Sequence, residues 1–255
     1  MYPVLFRIGS FDITSFGVMV ALGALAGLLV FRNELRRANL PDAAVDAAVY
    51  GLVGGLLGAK LLYVFEHLRE SSFWALALDR GGMSWFGGFV GGVSAGLLMI
   101  RLKRWPTMAV LAAAAPALAV GQMLGRVGCF LVGDDYGRPT SLPWGVAFPQ
   151  GLPPTIERVH PTQLYEAVFL AVLAWVLIRW RSGGVPDRIV LGRYLVLAGA
   201  FRFALEFVRV NVRVVGPFTV AHLFALAIVL VGIALLARRS TAAESARAIS
   251  RSSTA

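Results

Sequence analysis

The stretch MAVLAAAAPALAVGQMLGRVGCFLV, from Met108 to Val132, is 25 residues long and carries one charge, Arg126. At about 1.5 Å of rise per residue, a helix of that length exceeds the roughly 30 Å hydrocarbon core of a bilayer. The run therefore reads as a membrane span. Working outward, further apolar runs of bilayer length lie at Ile13 to Phe31, Ala43 to Phe65, Trp85 to Leu102, Pro161 to Trp180, Ile189 to Val208 and Pro217 to Ala237. The composition agrees: 58% of the 255 residues are hydrophobic, 15% are charged, and the mean hydropathy is +0.72. Soluble domains do not approach that balance. The expected fold is an all-α integral membrane protein with seven transmembrane helices in one domain, residues 1–239. A Ser/Ala-rich tail, 240–255, is expected to be disordered. The apolar fragment Phe73 to Leu78, cut off from the third run by Asp79 and Arg80, reads as an interfacial helix. Asp12 precedes the first run and Arg32, Glu34, Arg36 and Arg37 follow it without a small-residue cleavage pattern, so a retained anchor is expected rather than a signal peptide.

The formal net charge of +10, from 24 Lys and Arg against 14 Asp and Glu, would suit nucleic acid if the cations clustered on one soluble face. They lie mostly between the apolar runs, where anionic lipid headgroups meet them. No nucleic-acid partner is expected. A single cysteine, Cys129, excludes an intramolecular disulfide framework, and one Cys with three His gives no metal-ligand spacing, so no metal site is expected. Arg32, Arg36, Arg37, Arg101, Lys103, Arg104, Arg179, Arg181, Arg188, Arg238, Arg239, Arg247 and Arg251 fall on one side of the seven spans. They outnumber Arg7, Arg69, Arg80, Arg138, Arg158, Arg209 and Arg213 on the other. By the positive-inside rule the N-terminus is expected in the periplasm and the C-terminus in the cytoplasm. The periplasmic side then holds the longest connection, a small Pro- and Gly-rich loop region between helices four and five, residues 133–160. Within it, Leu142 to Phe148 reads as one short strand.

Glycines recur at intervals of four: Gly51 and Gly55, Gly54 and Gly58, Gly87 and Gly91, Gly88 and Gly92, Gly92 and Gly96, Gly121 and Gly125. On a helix this spacing makes a flat face for close helix packing, and that reading is preferred to a phosphate cradle. Four cations lie inside the spans: Lys60, Arg126, Arg193 and Arg202. Each costs about 2.5 to 3.5 kcal/mol at a helix centre, so each needs a partner or a wet cavity. Candidate counter-charges are Glu166, Glu206, Asp134 and Asp135. Arg202, Glu206 and Arg209 follow at i, i+4 and i+7, one stripe of a continuous helix. The plain alternative is an ion pair of Arg202 with Glu206 while Arg209 snorkels outward. Lys60 is expected to snorkel along its stem, and Arg193 lies within a turn or two of the cytoplasmic boundary. His160, Gln163, Tyr165 and Glu166 gather where the loop region meets the fifth run, with Pro161 as a candidate first helical residue. His222 stands alone in the seventh run and reads as an interfacial hydrogen-bonder. A guanidinium fork suits phosphate oxygens, which points to an anionic headgroup. These charges alone name no reaction, and a transporter for an anionic substrate would show much the same features.

Several blocks carry a resemblance. GRVGCFLVGDDYGR (Gly125 to Arg138) resembles the signature of prolipoprotein diacylglyceryl transferases. PTSLPWGVAFP (Pro139 to Pro149), HPTQLYE (His160 to Glu166), GAFRFALEFVR (Gly199 to Arg209) and GGMSWFGG (Gly81 to Gly88) resemble further blocks of that family, and together the similarity runs from about Phe6 to Leu236. The resemblance implies a bacterial inner-membrane enzyme with phosphatidylglycerol and a prolipoprotein signal peptide as substrates. It would move the diacylglyceryl group to the lipobox cysteine thiol and release glycerol phosphate, without a metal or redox cofactor. By motif position, Arg126, Arg202, Glu206 and Asp134 match the catalytic positions, with Asp134 standing where the family has Glu. Arg126, Gly137, His160, Gln163, Tyr165, Glu166, Arg209 and Lys60 are expected to bind substrate. A monomer surrounded by membrane lipids is expected.

Four positions depart from the family pattern. Phe86 stands where the family has a histidine, Cys129 where it has asparagine, Phe16 where it has tyrosine, and Lys60 where it has arginine. Loss of a positioned acid or base costs about 10²- to 10⁴-fold in rate. Three readings follow from the sequence. The chain is a transferase whose proton acceptor is Glu206, Asp134, His160 or the substrate's own surroundings. Or it is a diverged paralogue acting on another acceptor, with Cys129 a candidate thiol, although a membrane cysteine ordinarily behaves as a small apolar side chain. Or it is a non-catalytic binder or transporter of an anionic lipid.

Overall fold

The computed structural model describes residues 4–9, 11–79 and 82–238. The tail 240–255, with Arg80, Gly81, Arg239, Arg247 and Arg251, lies outside the described residues. Eight α-helices carry the fold: α1 (Ser15–Arg37), α2 (Asp46–His67), α3 (Phe73–Leu78), α4 (Trp85–Leu102), α5 (Thr107–Val132), α6 (Thr162–Ser182), α7 (Asp187–Glu206) and α8 (Val220–Ala237). An antiparallel hairpin of β1 (Val4–Ile8) with β2 (Phe11–Thr14) precedes α1, a second of β3 (Val146–Phe148) with β4 (Thr155–Val159) joins α5 to α6, and a third of β5 (Arg213–Val215) with β6 (Phe218–Thr219) joins α7 to α8. Among the described residues, six helical segments are long and apolar enough to cross a membrane: Ser15–Arg37, Asp42–His67, Trp85–Leu102, Thr107–Val132, Thr162–Ser182 and Val220–Ala237. This is a multi-pass helical membrane protein. Helix α7 has 20 residues, but Asp187, Arg188, Arg193, Arg202 and Glu206 interrupt its apolar character.

The apolar runs and the helices agree within three residues at each end, except that α1 continues six residues past Phe31 to Arg37, and α3 occupies the fragment read as an interfacial helix. Its N-cap is Ser72, whose hydroxyl accepts the Ala75 N–H. The loop after α5 is more ordered than a single strand. Leu142 to Gly145 form a turn closed by the Gly145 N–H on the Leu142 carbonyl, so β3 begins only at Val146, and Thr155–Val159 supplies a partner strand. Fully buried Phe148 anchors the loop, stacked on Tyr136 and edge-on to Phe130. Pro161 caps α6 rather than opening it.

The chain divides into two compact units. One comprises residues 28–114, the other residues up to 27 and from 115 onward. In the first, α2 packs on α4 through the glycines spaced four apart. A Cβ at Gly58 would lie 2.4 Å from the Gly87 carbonyl oxygen, and one at Gly87 would lie 2.3 Å from the Gly58 carbonyl oxygen. The two backbones touch, as small-residue spacing in membrane helices allows. In the other unit, Gly23 of α1 meets Gly121 of α5, and α7 meets α8 along Gly192, Gly199 and Gly232. A Cβ on Gly125, by contrast, would meet no atom within 4 Å.

Overpacking a tight contact costs about 1–3 kcal/mol where neighbours can yield, and a backbone carbonyl yields little. Gly87→Val is therefore expected to lower the midpoint of thermal unfolding in detergent by several degrees. Gly125→Ala is expected to leave it unchanged or raise it slightly. Thermal melts followed by size-exclusion chromatography check both.

Candidate active site

The unit formed by residues up to 27 and from 115 onward gathers six charged groups into one network. Gly133, at positive φ, ends α5, its N–H donating to the Cys129 carbonyl. Two residues on, Asp135 also takes the left-handed conformation, at φ 60°, a region that Asp tolerates better than most side chains. Its carboxylate then meets two guanidiniums. Arg126 Nη1 donates to Oδ2 at 2.8 Å, and Arg209 Nη2 lies 2.7 Å from Oδ1. Arg126 also pairs through Nε with Glu166 Oε2 of α6 at 2.9 Å. Arg209 Nε lies 3.8 Å from Glu206 Oε2, and that same oxygen accepts from Arg202 Nη1 at 2.5 Å. Glu166, Arg126, Asp135, Arg209, Glu206 and Arg202 thus form one alternating chain of three carboxylates and three guanidiniums.

Burial is uneven along this chain. Glu206 is 2% exposed and Arg209 6%, whereas Arg126 and Arg202 keep 22% and 26% of their side chains accessible and Asp135 keeps 45%. Glu206 is saturated: besides Arg202, its Oε1 accepts from Asn211 Nδ2 at 2.6 Å and from the Thr219 hydroxyl at 2.7 Å. Arg209 is not, since its Nε and Nη1 make no hydrogen bond.

The stripe expected at positions 202, 206 and 209 is altered at its end. Helix α7 stops at Glu206, and Val208 and Arg209 continue in tighter turns with their N–H groups on Leu205 and Glu206. Arg209 therefore does not snorkel outward. It turns inward to Asp135, and its backbone bridges to Gly137. Gly137 sits between two chain segments, its N–H on the His160 carbonyl, while the Arg138 N–H reaches the Val208 carbonyl. A Cβ at Gly137 would lie 2.5 Å from the Val208 oxygen, so only glycine fits. This junction ties the loop to the start of α6 and to the end of α7.

Asp134 and Asp135, adjacent in sequence, have different surroundings. The Asp134 main-chain carbonyl accepts from Gln163 and that of Asp135 from Thr162. The Asp134 carboxyl is hydrogen-bonded by the Cys129 thiol, while its Oδ1 is buried without a partner. Burial, with Asp135 beside it, raises the Asp134 carboxyl above its ordinary value. Burial alone would also raise Asp135, but the Arg209 and Arg126 guanidiniums outweigh it and hold that carboxyl below its ordinary value. Cys129, Asp134 and Asp135 place one ligand-type atom each within 4.8 Å of one another, a grouping with the right donors for a cation. Both Asp135 oxygens already hold guanidiniums, so a cation would have to displace one of them against adjacent positive charge.

The remaining candidates lie as follows. His160 Nδ1 is 3.3 Å from the Tyr165 hydroxyl, which accepts from Trp144 Nε1 at 2.8 Å. These three make a cluster of their own. Phe16 of α1 packs on Gly128 of α5. Lys60 and Phe86 belong to the other unit, where Lys60 Nζ donates to the Asp79 carbonyl at 2.6 Å and Phe86 lies edge-on to Trp85. Sequence reasoning named both aspartates as counter-charges but carried only Asp134 into the site. It missed Asn211 and Thr219 altogether. Thr219 has a legible sequence signal, a threonine immediately before a long apolar run, which is an N-cap pattern.

A multi-pass membrane protein that gathers three arginines and four carboxylates into one unit has the makings of an enzyme acting on anionic lipid. The chain belongs to the prolipoprotein diacylglyceryl transferase family, whose model matches residues 3–238. Among its relatives are proteins named phosphatidylglycerol–prolipoprotein diacylglyceryl transferase from several bacteria. That of Nitratidesulfovibrio vulgaris is 35% identical over 258 residues, covering 95% of each chain. That of Geobacter sulfurreducens is 34% identical over 247 residues, 91% of this chain and 93% of the relative. That of Clostridium tetani is 33% identical over 213 residues, 82% of this chain and 86% of the relative.

The two aspartates are expected to affect stability in opposite directions. A carboxyl with a depressed folded value stabilises above its unfolded pKa and loses that contribution as pH falls through the folded value, so Asp135→Asn should lower the melting temperature at neutral pH. A carboxyl with a raised folded value costs stability once pH exceeds its unfolded pKa, so Asp134→Asn should raise it. Melting temperatures of both variants between pH 2 and 8 check the signs: the Asp134→Asn difference from wild type should shrink toward pH 4, whereas the Asp135→Asn difference should persist there and shrink only at lower pH.

Proposed function

We propose that this chain transfers the diacylglyceryl group of phosphatidylglycerol to the lipobox cysteine of prolipoproteins, forming a thioether and releasing glycerol phosphate. Its family membership supports the reaction. The observation that carries the assignment of residues is the alternating charge chain, in which Arg126 and Arg202 are held by carboxylates yet remain partly accessible.

In this reading Arg126 and Arg202 take the phosphate oxygens of the lipid, and Arg209 adds the N–H donors it has left over. Asp134, its oxygen unpartnered and its carboxyl raised by burial, accepts the proton of the acceptor thiol. The sulfur forms its bond to the glyceryl carbon as the bond from that carbon to the phosphate oxygen breaks. The electron pair leaves on that oxygen, where guanidiniums stabilise it. Glu206, with donors on both oxygens, holds Arg202 rather than taking a proton. Gly137, His160, Gln163, Tyr165 and Glu166 frame the substrate from the loop and α6. Lys60, in the other unit, is assigned to substrate binding by motif position alone.

We read α7 as a seventh crossing, since its charges are paired within the protein at Arg202 and Glu206 and its length suffices. The Lys and Arg bias then supports a periplasmic N-terminus, a periplasmic loop at 133–160 and a cytoplasmic C-terminus in the bacterial inner membrane, with the chain acting as a monomer.

Complementation of a strain depleted of its own transferase, with the mass of a reporter lipoprotein measured, tests this directly. A diacylglyceryl increment is expected. No increment, with phosphatidylglycerol still bound, would mean a lipid binder, and an increment on a different acceptor would mean a diverged paralogue. Arg126→Ala and Arg202→Ala are each expected to abolish the increment while leaving the protein inserted. Asp134→Asn should cut the rate about 10²- to 10⁴-fold. The wild-type rate should fall as pH drops through the raised Asp134 value, and that acid limb should vanish in Asp134→Asn. Phe86→His is expected to raise the rate or leave it unchanged.

A further inference from the structure

Near the start of the seventh apolar run, Thr219 is the N-cap of α8, followed three residues on by His222. The two form a reciprocal capping box. The His222 N–H donates to Thr219 Oγ1 at 3.4 Å, and the Thr219 N–H donates to His222 Nδ1 at 3.1 Å. In the usual box a Glu or Gln fills the second role, and the pair serves only the helix end. Here the hydroxyl is also committed outward, donating to Glu206 Oε1 at 2.7 Å. Its single proton is spent there, so the 3.1 Å approach of Thr219 Oγ1 to His222 Nδ1 carries no further donor from the threonine.

This arrangement fixes the tautomer. Nδ1 accepts from a backbone N–H, so the proton of the neutral ring lies on Nε2. A second proton on Nδ1 would set donor against donor. His222 is 1% exposed, its Nε2 has no hydrogen-bond partner, and the rings of Phe203, Phe207 and Phe218 enclose it at centroid distances of 4.8, 4.5 and 5.4 Å. Thr219 is 5% exposed and Glu206 2%. Aromatic rings close the cage behind the threonine, so the orientation of its hydroxyl depends on the ring it rests against.

We propose that His222 and Thr219 are positioning residues for the reaction, His222 fixing Thr219 so that its hydroxyl holds Glu206, and Glu206 thereby fixing the Arg202 guanidinium. The proposal rests on the transfer reaction assigned above. Neither residue touches substrate, and each acts through Glu206. Asn211 supplies a second donor to the same Glu206 oxygen from an exposed position, but only the Thr219 hydroxyl is buried with it.

Four variants test the relay: Thr219→Val and Thr219→Ser, His222→Leu and His222→Gln. Each full-length protein is reconstituted with phosphatidylglycerol and a lipobox peptide, and kcat and KM are measured with the melting temperature. Thr219→Val and His222→Leu are expected to lower kcat about ten- to a hundredfold, the loss of one hydrogen bond to a charged group, with KM for the peptide unchanged. Thr219→Ser and His222→Gln, which keep a hydroxyl donor and an Nδ1-like acceptor, should return kcat to within about threefold of wild type. In a Glu206→Gln background, Thr219→Val should have no further effect, because the two act through one contact. Wild-type kcat in folded Thr219→Val, an additive effect in the Glu206→Gln background, or failure of the serine and glutamine variants to rescue would each overturn the relay. Unfolding of both apolar variants would overturn it too, since the pair would then serve the packing of α8. A wild-type protein that modifies no peptide refutes the reaction itself, a result distinct from any of these.

Discussion

A guanidinium or carboxylate withdrawn from water costs several kcal/mol even after the surroundings relax, and removing one member of a buried pair leaves the other uncompensated. The unit built from α5 to α8 meets that constraint by alternation. Glu166, Arg126, Asp135, Arg209, Glu206 and Arg202 each lie between opposite charges or end the chain beside one. No cation in this chain depends on a single neighbour's rotamer except Arg202, and its partner Glu206 is the most heavily bonded of the carboxylates. The two most accessible arginines lie apart along the chain, and the deepest members, Arg209 and Glu206, join them. The arrangement places accessible positive charge where buried negative charge can support it.

The backbone is organised around these pairs. Gly133 ends α5 and Asp135 turns left-handed, which returns the loop toward the helix it has just left. Gly137 lets three chain segments meet with no side chain between them, so the end of α7, the start of α6 and the loop share main-chain hydrogen bonds. Helix α7 gives up its last turn at the point where Arg209 must reach Asp135. In the other unit, the same preference for small residues serves packing alone, with α2 and α4 in backbone contact at Gly58 and Gly87.

Most of the helical fold was legible because apolar runs of bilayer length have few alternatives. The run at Met108 to Val132 became α5 with one residue added, and Trp85 to Leu102 became α4 unchanged. The hairpins of β1 with β2 and of β5 with β6 were not legible, because strands two to five residues long are too short to show a period-2 pattern. The site was half legible. Span arginines announce themselves by their desolvation cost, and Glu206 is one turn from Arg202. Residue type and spacing do not distinguish Asp134 from Asp135, and only motif position set Asp134 apart. Their roles separate only when Gly133 and the left-handed Asp135 aim one carboxylate at two arginines and the other at Cys129. The inward turn of Arg209 was equally hidden, since periodicity assumes a helix that continues past Glu206.

Asp135 is the most accessible carboxylate of the chain, and it occupies an oxygen-binding face of Arg126 already. In the proposed role of Arg126, an incoming phosphate oxygen would therefore meet an arginine in use and would bind by substitution, as one ligand replaces another on a metal. The affinity for any headgroup would then be a difference between two pairings, and the displaced carboxylate would stay tethered nearby, ready to reclaim its arginine when the product departs. A site wired in this way would trade tightness for turnover.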